Sequence, residues 1–462
     1  MRYTPNPKYK INEMLSILGL SSLDDLFSDI PAEIRERSIP ESNLSGESEL
    51  VVRRRLEQLA RDNWSSDDAP IFLGAGCYDH YIPSAVDYLL ERSEFSTSYT
   101  PYQPEISQGI LQGIFEYQTL ICRLTGMAVA NASLYCGGSA LAAACRVAAE
   151  VTKKHKVILP ESLHPEYSQI VKSAAIADFF ETVDVPIIKT DSSESLSGIV
   201  DVKILDQLLD DDVAAVVIPY PNFYGCLERV GVMIEKVRAK TKALIIMSVD
   251  PFSLALLKPP GEWGADIAVG DAQVLGNRMS FGGPHLGFMA VTEKLLRKIP
   301  GRLVGQTVDD RGNRSFVLTL QAREQHIRRE KANSNICSNQ ALCALATSMY
   351  LAFLGPNAFK QAAGIAHQLT CYAKSRFEKA GFKLRYSAPV FQEFAVCVDQ
   401  PTEANEFLLE NGIIGGYELK DALLFAFTEK RTPEEVDELV DSMTEYTFPE
   451  RKLNREVKED TK

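Results

Sequence analysis

The sequence lacks long apolar runs. Runs such as 214–218 and 243–247 are far too short to cross a bilayer, which needs about 20 apolar residues. The first residues, Met-Arg-Tyr-Thr-Pro-Asn-Pro, also lack the apolar segment of a signal peptide. We therefore expect no membrane partner and a cytoplasmic location, although a processed organellar protein would have the same appearance.

Positive charge is also scarce. The chain has 49 Lys and Arg residues against 62 Asp and Glu residues, which gives a formal net charge of -13. No concentrated run of basic residues offsets this excess, and a negative surface repels polyanions. We therefore do not expect a nucleic-acid partner.

Paired cysteines are absent. The nine cysteines form no C-x-x-C pair and no repeated spacing. This pattern argues against a disulfide framework, a zinc site and a dithiol redox centre. We predict reduced thiols that mostly fill the core, and no metal site.

The composition is that of an ordinary soluble protein, with 45% hydrophobic and 24% charged residues among 462. That length is too great for one small core. We predict an N-terminal helical arm at 1–65, a large domain at 66–330, a small C-terminal α/β domain at 331–447 and a charged tail at 448–462. The arm helices would not bury their apolar faces alone, so we expect them to pack on the main domain or on another subunit.

Short β-rich runs alternate with helical stretches across the predicted large domain. The predicted strands are Val157–Leu159, Val213–Ile218, Leu244–Val249, Ile267–Val269 and Leu286–Val291. This alternation predicts an α/β fold with a mainly parallel sheet that is covered on both faces. In the small domain we predict strands at Phe382–Tyr386 and Glu393–Val398, and a last helix that is capped by Thr432.

Small or polar residues follow several predicted strands, where a sheet of this kind binds its ligands. Gly137, Gly138 and Ser139 open a long helix whose N-terminus would favour an anion, and His164 and Asp250 each follow a strand. A pyridoxal phosphate (PLP) site needs a phosphate cradle, a flat side chain over the ring, a carboxylate for the pyridine nitrogen and a lysine. Singly, each feature is explained as well by a helix start, a cap or a turn. Together and in this order, they favour a PLP-type fold.

The lysine of such a site is missing. No lysine occurs between Lys258 and Lys294, the stretch that follows the predicted strand Ile267–Val269. Part of this stretch, from Gly270 to Gly287, reads GDAQVLGNRMSFGGPHLG. The chain is therefore built like a cofactor enzyme without the residue that attaches the cofactor.

Motifs along the whole chain resemble those of glycine dehydrogenase (decarboxylating), the P-protein of the glycine cleavage system. They include TPYQPEISQG at 100–109, LTGM at 124–127, PNFYG at 221–225, PGRLVG at 300–305, REQHIRR at 323–329 and SNIC at 334–337. The resemblance implies a PLP-dependent transferase-like fold of the aspartate aminotransferase type (fold type I). The length is similar to the N-terminal half of the single-chain enzymes, which corresponds to subunit 1 of the two-subunit form.

The resemblance also implies where the lysine would stand. In the partner-type half, the lysine follows a His in a segment that reads ADV-x-HLNLHKTF. Aligned with 265–275, the His falls on Gln273 and the lysine on Val274, which is 24 residues after Asp250. Valine has no amine, so we interpret the chain as one that has lost its own cofactor chemistry. The residues of a vestigial cofactor pocket would then be Gly137, Gly138, Ser139, His164, Asp250 and Gln273.

The resemblance implies that PLP belongs to a partner, subunit 2. There glycine would be decarboxylated, and its aminomethyl group would pass to the lipoyl arm of H-protein. A heterotetramer with two copies of each subunit is implied in the same way. The subunit without lysine would help to exclude water and to fix the geometry of the shared site.

One polar segment is a candidate for that shared site, because PLP-fold dimers place their sites between subunits. Its residues are Tyr99, Thr100, Tyr102, Gln103, Glu105 and Ser107. We predict that it lines the interface near the partner's cofactor or the lipoyl channel, and a structural loop that satisfies buried backbone groups is an equally good interpretation.

Cys136 is either a redox residue or, as we favour, a buried thiol. The REQHIRR run is either a phosphate clamp or, as we favour, an intersubunit salt-bridge patch.

Two other functions stay open at this point. The chain would be an autonomous PLP enzyme if another lysine, such as Lys258, held the cofactor, but Lys258 precedes the strand instead of following it. Alternatively, the chain would be a scaffold or regulator that docks H-protein without contributing to the chemistry.

Overall fold

The computed structural model describes residues 6–36, 46–66, 68–178, 180–192, 196–332, 334–336 and 338–448. The chain divides into two compact units, 1–65 and 66–462. The helices of the chain, α1 to α14 in order, are Lys8–Leu18, Ala32–Glu36, Glu49–Arg61, Ser84–Leu90, Gln108–Thr125, Gly137–Thr152, Pro165–Asp178, Val202–Leu208, Val230–Lys240, Pro260–Trp263, Gln325–Arg328, Ala341–Ala380, Pro401–Glu410 and Pro433–Thr447. The strands, β1 to β12 in order, are Val129–Ala130, Lys156–Pro160, Glu181–Val185, Val213–Tyr220, Leu244–Val249, Ile267–Asp271, Gly287–Val291, Leu303–Val308, Arg314–Thr319, Glu393–Cys397, Tyr417–Leu419 and Ala422–Ala426.

The described residues of the first unit form short helices, as the sequence predicts. Gly19 ends α1 in the left-handed conformation (φ 70°), and Ser22 caps a following 3-10 turn with Asp25 in a capping box. Among the described residues of this unit, Leu15 is the only buried side chain. Ile17 is 79% exposed. The apolar faces of these helices are therefore not buried by the unit itself.

A seven-stranded sheet forms the centre of the second unit. Its strand order is β1-β7-β6-β5-β4-β2-β3, with parallel pairs from β3 to β6 and antiparallel pairs at β6–β7 and β7–β1. Every residue of β4 is buried, as expected for a central strand that is covered on both faces. Val216 and Ile218 face a core that includes α5, α9 and α12, whereas Ala215 and Val217 face a core that includes α6 and α7. The predicted α/β class with a mainly parallel sheet is confirmed.

The C-terminal part carries its own antiparallel sheet, in the order β10-β12-β11. A core of phenylalanines packs it against the C-terminal half of α12 and against α14. Thr432 and Glu435 form the expected capping box at the start of α14. The boundary predicted at 330 stays a prediction, and the predicted tail lies outside the described residues from 449 onward.

The strand predicted at Phe382–Tyr386 is wrong. The segment runs beside β10 and makes two backbone hydrogen bonds to it, yet it forms a single bridge, between Leu384 and Val396. Its alternation of apolar and basic residues arises because one face is more buried than the other. A loop that runs beside a strand can have this pattern as well as a strand can. The hairpin β8–β9 and the short strands β1, β3, β11 and β12 were not predicted.

Helix α12 is long and apolar enough to cross a membrane by length and composition alone. Non-helical angles at Gly355 (φ 63°), just before Pro356, divide it into two pieces. The piece before this kink is shorter than a bilayer requires, and the piece after it carries several charged residues. Buried residues in both pieces pack in the protein core, as they do in a core helix of a globular protein.

Candidate functional site

A crevice opens where β2, β4, β5 and β6 end, the edge at which open α/β sheets bind ligands. Its cavity has a volume of about 70 Å³. The residues that line it come mainly from the loops directly after these strands and from 76–78. They are Gly76, Tyr78, Leu163, His164, Tyr167, Pro219, Pro221, Asn222, Phe223, Ser248, Val249, Asp250, Asp271, Val274 and Glu393.

The predicted phosphate cradle lies at the start of α6, and a carboxylate of the same chain occupies it. The backbone N–H of Gly137 donates to Oδ2 of Asp271, at 3.0 Å. Asp271 is the last residue of β6, so its carboxylate lies next to the N-terminus of α6. The other oxygen, Oδ1, accepts from the backbone N–H groups of Gln273 (3.0 Å) and Leu286 (3.2 Å). Both oxygens of this carboxylate thus accept hydrogen bonds from groups of the same chain.

His285 completes this arrangement, with Nδ1 at 3.0 Å from Oδ2 of Asp271. The hydrogen bond to the carboxylate raises the pKa of His285 above its ordinary value. Burial acts to raise the pKa of Asp271, but the bond and charge of His285 and the amide donors outweigh it, and the net pKa is lowered. The pair is therefore favoured in its charged form.

Tyr167 covers the cradle from the crevice side. A Cβ atom added to Gly137 would lie 2.3 Å from the hydroxyl of Tyr167, so glycine is needed for this close approach. The ring of Tyr167 stacks on His164, with centroids 4.6 Å apart and planes inclined by 19°. The remaining predicted cradle residues serve the helix end, because Ser139 forms a capping box with Cys136.

His164 has partners for both ring nitrogens. The backbone N–H of Glu166 donates to Nδ1 (3.2 Å), so Nε2 carries the proton and donates to the carbonyl oxygen of Ala75 (3.0 Å). Burial lowers the pKa of His164, which favours this neutral form. The ring lies edge-on to Phe223 and face-on to Tyr167, so its position is fixed by packing.

Val274 lines the crevice, and its side chain is 3% exposed. Gln273, beside it, does not line the crevice. Its side-chain oxygen accepts from the N–H of Tyr78 (3.2 Å), and its amide nitrogen donates to the carbonyl oxygen of Asn277 (2.7 Å). Gln273 therefore ties the loop after β6 to the segment at 76–78.

Asp250, which is half-buried, follows β5 and lines the crevice together with the buried carboxyl group of Glu393. Its Oδ1 accepts from the N–H of Phe252 (2.9 Å), and its Oδ2 accepts from the amide nitrogen of Gln392 (3.2 Å). Glu393 accepts from the hydroxyl of Tyr78 (2.5 Å) and from the N–H of Ala75 (3.1 Å). Burial raises the pKa of Asp250 to about 6 and that of Glu393 to about 7.

These residues do not fit PLP. The amide donor that would face the phosphate is bonded to Asp271, whose negative charge would repel a phosphate group. Tyr167 stands against the same helix start, and Val274 has no amine. Asp250 and His164 line the crevice, but at the start of α6 the side chains of Asp271 and Tyr167 stand where a phosphate group would have to bind.

The predicted interface segment lies elsewhere. No residue of 99–107 is among the described residues that line the crevice. Tyr99, 86% exposed, contacts the hydroxyl of Ser338, and Tyr102 accepts a hydrogen bond from the guanidinium of buried Arg302 (3.0 Å), which also lies over its ring. Of the other four, Thr100 is half-buried, Gln103 and Glu105 are exposed, and Ser107 is buried at the start of α5.

Three further sequence candidates also lie outside the crevice lining. The ammonium group of Lys258 lies 4.2 Å from the ring centre of Trp263. Cys136 is half-buried at the N-cap of α6. In the REQHIRR run, Arg323 donates to the carbonyl oxygens of Ile299 and Gly301, both at 2.6 Å, so its guanidinium holds the preceding loop.

Several residues of the site were not identified from the sequence: Tyr78, Tyr167, Asp271, His285, Gln392 and Glu393. For Asp271 a signal existed, because it stands at the end of a predicted strand, the same position that drew attention to Asp250. For Tyr78 and Glu393, which are 315 residues apart, no local pattern indicates that they meet.

Comparisons with known proteins agree with this architecture. A family model described as glycine cleavage system P-protein matches residues 1–443. A probable glycine dehydrogenase (decarboxylating) subunit 1 from Syntrophomonas wolfei subsp. wolfei is 54% identical over 439 residues, which cover 95% of this chain and 98% of that protein. A protein of the same description from Carboxydothermus hydrogenoformans is 51% identical over 448 residues, or 96% of this chain and 99% of that protein.

Solved structures are similar over most of the chain. The crystal structure of a glycine decarboxylase (P-protein) of the glycine cleavage system, in inhibitor-bound form, has a TM-score of 0.84 at 40% identity and covers 96% of this chain and 100% of that one. A NifS-like protein has a TM-score of 0.59 at 14% identity, over 82% of this chain and 99% of its own. At that identity the likeness shows the fold alone, and the predicted PLP-dependent fold of type I is confirmed.

Proposed function

We propose that this chain, which belongs to the glycine cleavage system P-protein family, is the subunit without lysine of a two-subunit glycine dehydrogenase (decarboxylating). In the complete enzyme a second subunit carries PLP and decarboxylates glycine, and the aminomethyl group passes to the lipoyl arm of H-protein. We place the enzyme in the cytoplasm, as a heterotetramer with two copies of each subunit. The resemblance drawn from the sequence motifs is confirmed at the level of the family.

The hydrogen bond between Gly137 and Asp271 is the observation that carries this proposal. A PLP enzyme holds the phosphate of its cofactor at this helix start, and here an internal carboxylate fills the place. With Val274 at the lysine position, the chain holds neither end of the cofactor. In a PLP family, a chain of this kind needs a second subunit for its chemistry, which agrees with the name "subunit 1" of its relatives.

PLP supplies, when bound, an electron sink that permits an amino acid to lose carbon dioxide. The contribution of this chain is a rigid wall for the shared site. Arg302, 7% exposed, fixes the position of Tyr102 by a hydrogen bond and by stacking, while much of the Tyr102 side chain stays exposed. A wall that is fixed in this way excludes water and orients groups across the interface. Because its side chains are already ordered, little conformational entropy is lost when the site assembles.

The absorbance spectrum of PLP tests the proposal directly. The purified chain is incubated with PLP, treated with borohydride, and measured alone and with the lysine-bearing subunit. We expect a stable covalent adduct only in the presence of the second subunit, and only on that subunit. A specific adduct on the lone chain would overturn the proposal and would point to an autonomous enzyme.

Variants of the interface segment separate a shared site from a scaffold that only docks H-protein. In the reconstituted complex, Tyr102→Ala and Gln103→Ala should reduce glycine decarboxylation at full assembly. Tyr88→Ala is the matched control, because Tyr88 is also exposed (65%, against 54% for Tyr102) but lies on α4. Unchanged turnover in both segment variants would favour the scaffold.

A further inference from the structure

A buried acceptor without a donor lies behind the crevice. Gln392 is 3% exposed, and its amide nitrogen donates to Oδ2 of Asp250. Its side-chain oxygen, Oε1, has no hydrogen-bond partner among the described residues. Leaving such an atom unpaired is unfavourable, so a donor is expected beside it. This oxygen is the starting point of the inference.

The side chain of Gln392 faces a cavity of about 30 Å³. That volume suits one species of the size of a water molecule. The residues around this cavity include Asp250, Glu393, Tyr78 and Asn222, all of which also line the larger crevice. The small cavity and the crevice are therefore adjacent, and we expect the substituent of a bound ion to project toward the crevice.

The lining of both cavities is rich in acceptors and contains no Lys or Arg among the described residues. Asp250 and Glu393 receive hydrogen bonds from backbone, amide and hydroxyl groups, all of them uncharged. His80 is nearby, but its Nδ1 is bonded to Glu429 at 2.7 Å. The half-buried carboxyl of Asp250 and the buried carboxyl of Glu393 thus face the cavity, and His80, whose charge acts on Asp250, does not line it.

We propose that this cavity binds a small ammonium ion, of the class NH4+ or methylammonium, whose N–H groups donate to Oε1 of Gln392 and to the carboxylates of Asp250 and Glu393. An ammonium group offers several N–H donors for these three acceptors, and its positive charge offsets one of the two negative charges. A multivalent metal is disfavoured, because the described residues contain no group of three His, Cys, Asp or Glu side chains that could hold one. The site does not depend on a second subunit.

Thermal unfolding of the full-length chain at pH 8 tests this site. Methylammonium chloride is titrated against sodium, potassium and tetramethylammonium chlorides at equal ionic strength. We expect methylammonium to raise Tm saturably, by about 2 °C or more, because a ligand of the native state stabilises it. Tetramethylammonium, which has no N–H group and is too large, should produce no specific rise. An equal effect of methylammonium and tetramethylammonium, or of methylammonium and potassium, would overturn the proposal.

Substitutions of the residues around the small cavity test whether methylammonium binds there. Gln392→Leu removes the unpaired oxygen, and Glu393→Gln removes one carboxylate, so both should abolish the methylammonium response or weaken it at least tenfold. Asp266→Asn is the matched control, since Asp266 is a partly buried carboxylate (side chain 21% exposed) that lines neither cavity and is bonded to Arg238 and Ile245. A full response in Gln392→Leu would contradict the proposal. If a variant fails to fold, the comparison of ions on the unmodified chain decides by itself.

Discussion

Oδ2 of Asp271 lies 3.0 Å from the backbone nitrogen of Gly137, so a carboxylate at the end of β6 accepts the hydrogen bond that opens α6. The positive end of the helix dipole favours an anion at this point, and the chain supplies its own. His285 balances the charge from the other side. The place where a PLP enzyme holds a phosphate has thereby become part of the structural core.

Restoring the lysine alone should not restore cofactor binding. In Val274→Lys, the new amine would reach the crevice, but Asp271 and Tyr167 would still occupy the phosphate end of the site. We expect no stable PLP adduct after borohydride reduction, measured by absorbance and by the mass of the intact chain. Stoichiometric modification of the introduced amine in this variant would show that the phosphate cradle is still available.

Removing the carboxylate of Asp271 should destabilise the fold. Asp271→Ala leaves the N–H groups of Gly137, Gln273 and Leu286 without their acceptor, and it leaves His285 without its anion. We expect a loss of about 3 kcal/mol or more in the free energy of unfolding, measured by urea denaturation.

The control for this measurement is Asp210→Ala. Asp210 is half-exposed and pairs with Lys156 at the surface, so its removal should change the free energy of unfolding by less than about 1 kcal/mol. Losses of equal size in the two variants would contradict the structural role of Asp271.

The buried carboxyl of Glu393 should make stability depend on pH. Burial raises its pKa from 4.5 to about 7, so the native state binds more protons than the unfolded state within this window. The contribution is fully present below pH 4.5 and is lost as the pH rises through 7. Glu393→Gln removes this titration, and its stability relative to the unmodified chain should rise by up to about 3 kcal/mol between pH 5 and pH 8.

Denaturation curves at several pH values check this expectation. The pKa of Asp250 is raised in the same direction, which is why the difference between the two proteins is the informative quantity. A difference that stays constant from pH 5 to pH 8 would show that Glu393 does not titrate in this window.

Gly225 should not tolerate a side chain. Its φ is 77°, and a Cβ atom there would lie 1.9 Å from the carbonyl oxygen of Glu393. Gly225→Ala would push β10 away from the loop after β4, and Tm should fall markedly, by about 5 °C or more. Gly412→Ala has a similar φ of 76° and open space around it, so it separates backbone strain from the clash. If both variants lowered Tm equally, backbone strain alone would explain the effect, and the clash with Glu393 would not be needed.

Much of the secondary structure was predictable because its signals lie within a few residues. The apolar run at Val213–Ile218, which is rich in β-branched residues, indicates a buried strand, and the Thr432 and Glu435 pair indicates the start of α14. The strand predicted at Phe382–Tyr386 was wrong because an alternating pattern reports which side chains are buried and does not report how many backbone pairs form.

The candidate site was predictable only in part. Rules for the ends of strands led to His164 and Asp250, and the family resemblance led to Val274, all of which line the crevice. The same rules gave no indication that Gln273 would turn away to bond the 76–78 segment. The role of the interface segment at 99–107 stays a prediction.

By itself, the sequence determined the α/β class, the helix caps, the family and the absence of a lysine from the central loop, because each depends on residue identity or on short-range periodicity. The tertiary structure decided what replaces the cofactor. Asp271 meets Gly137 across 134 residues, and Tyr78 meets Glu393 across 315. Contacts of that kind depend on how strands and helices pack, and burial then sets the pKa of each group that they enclose.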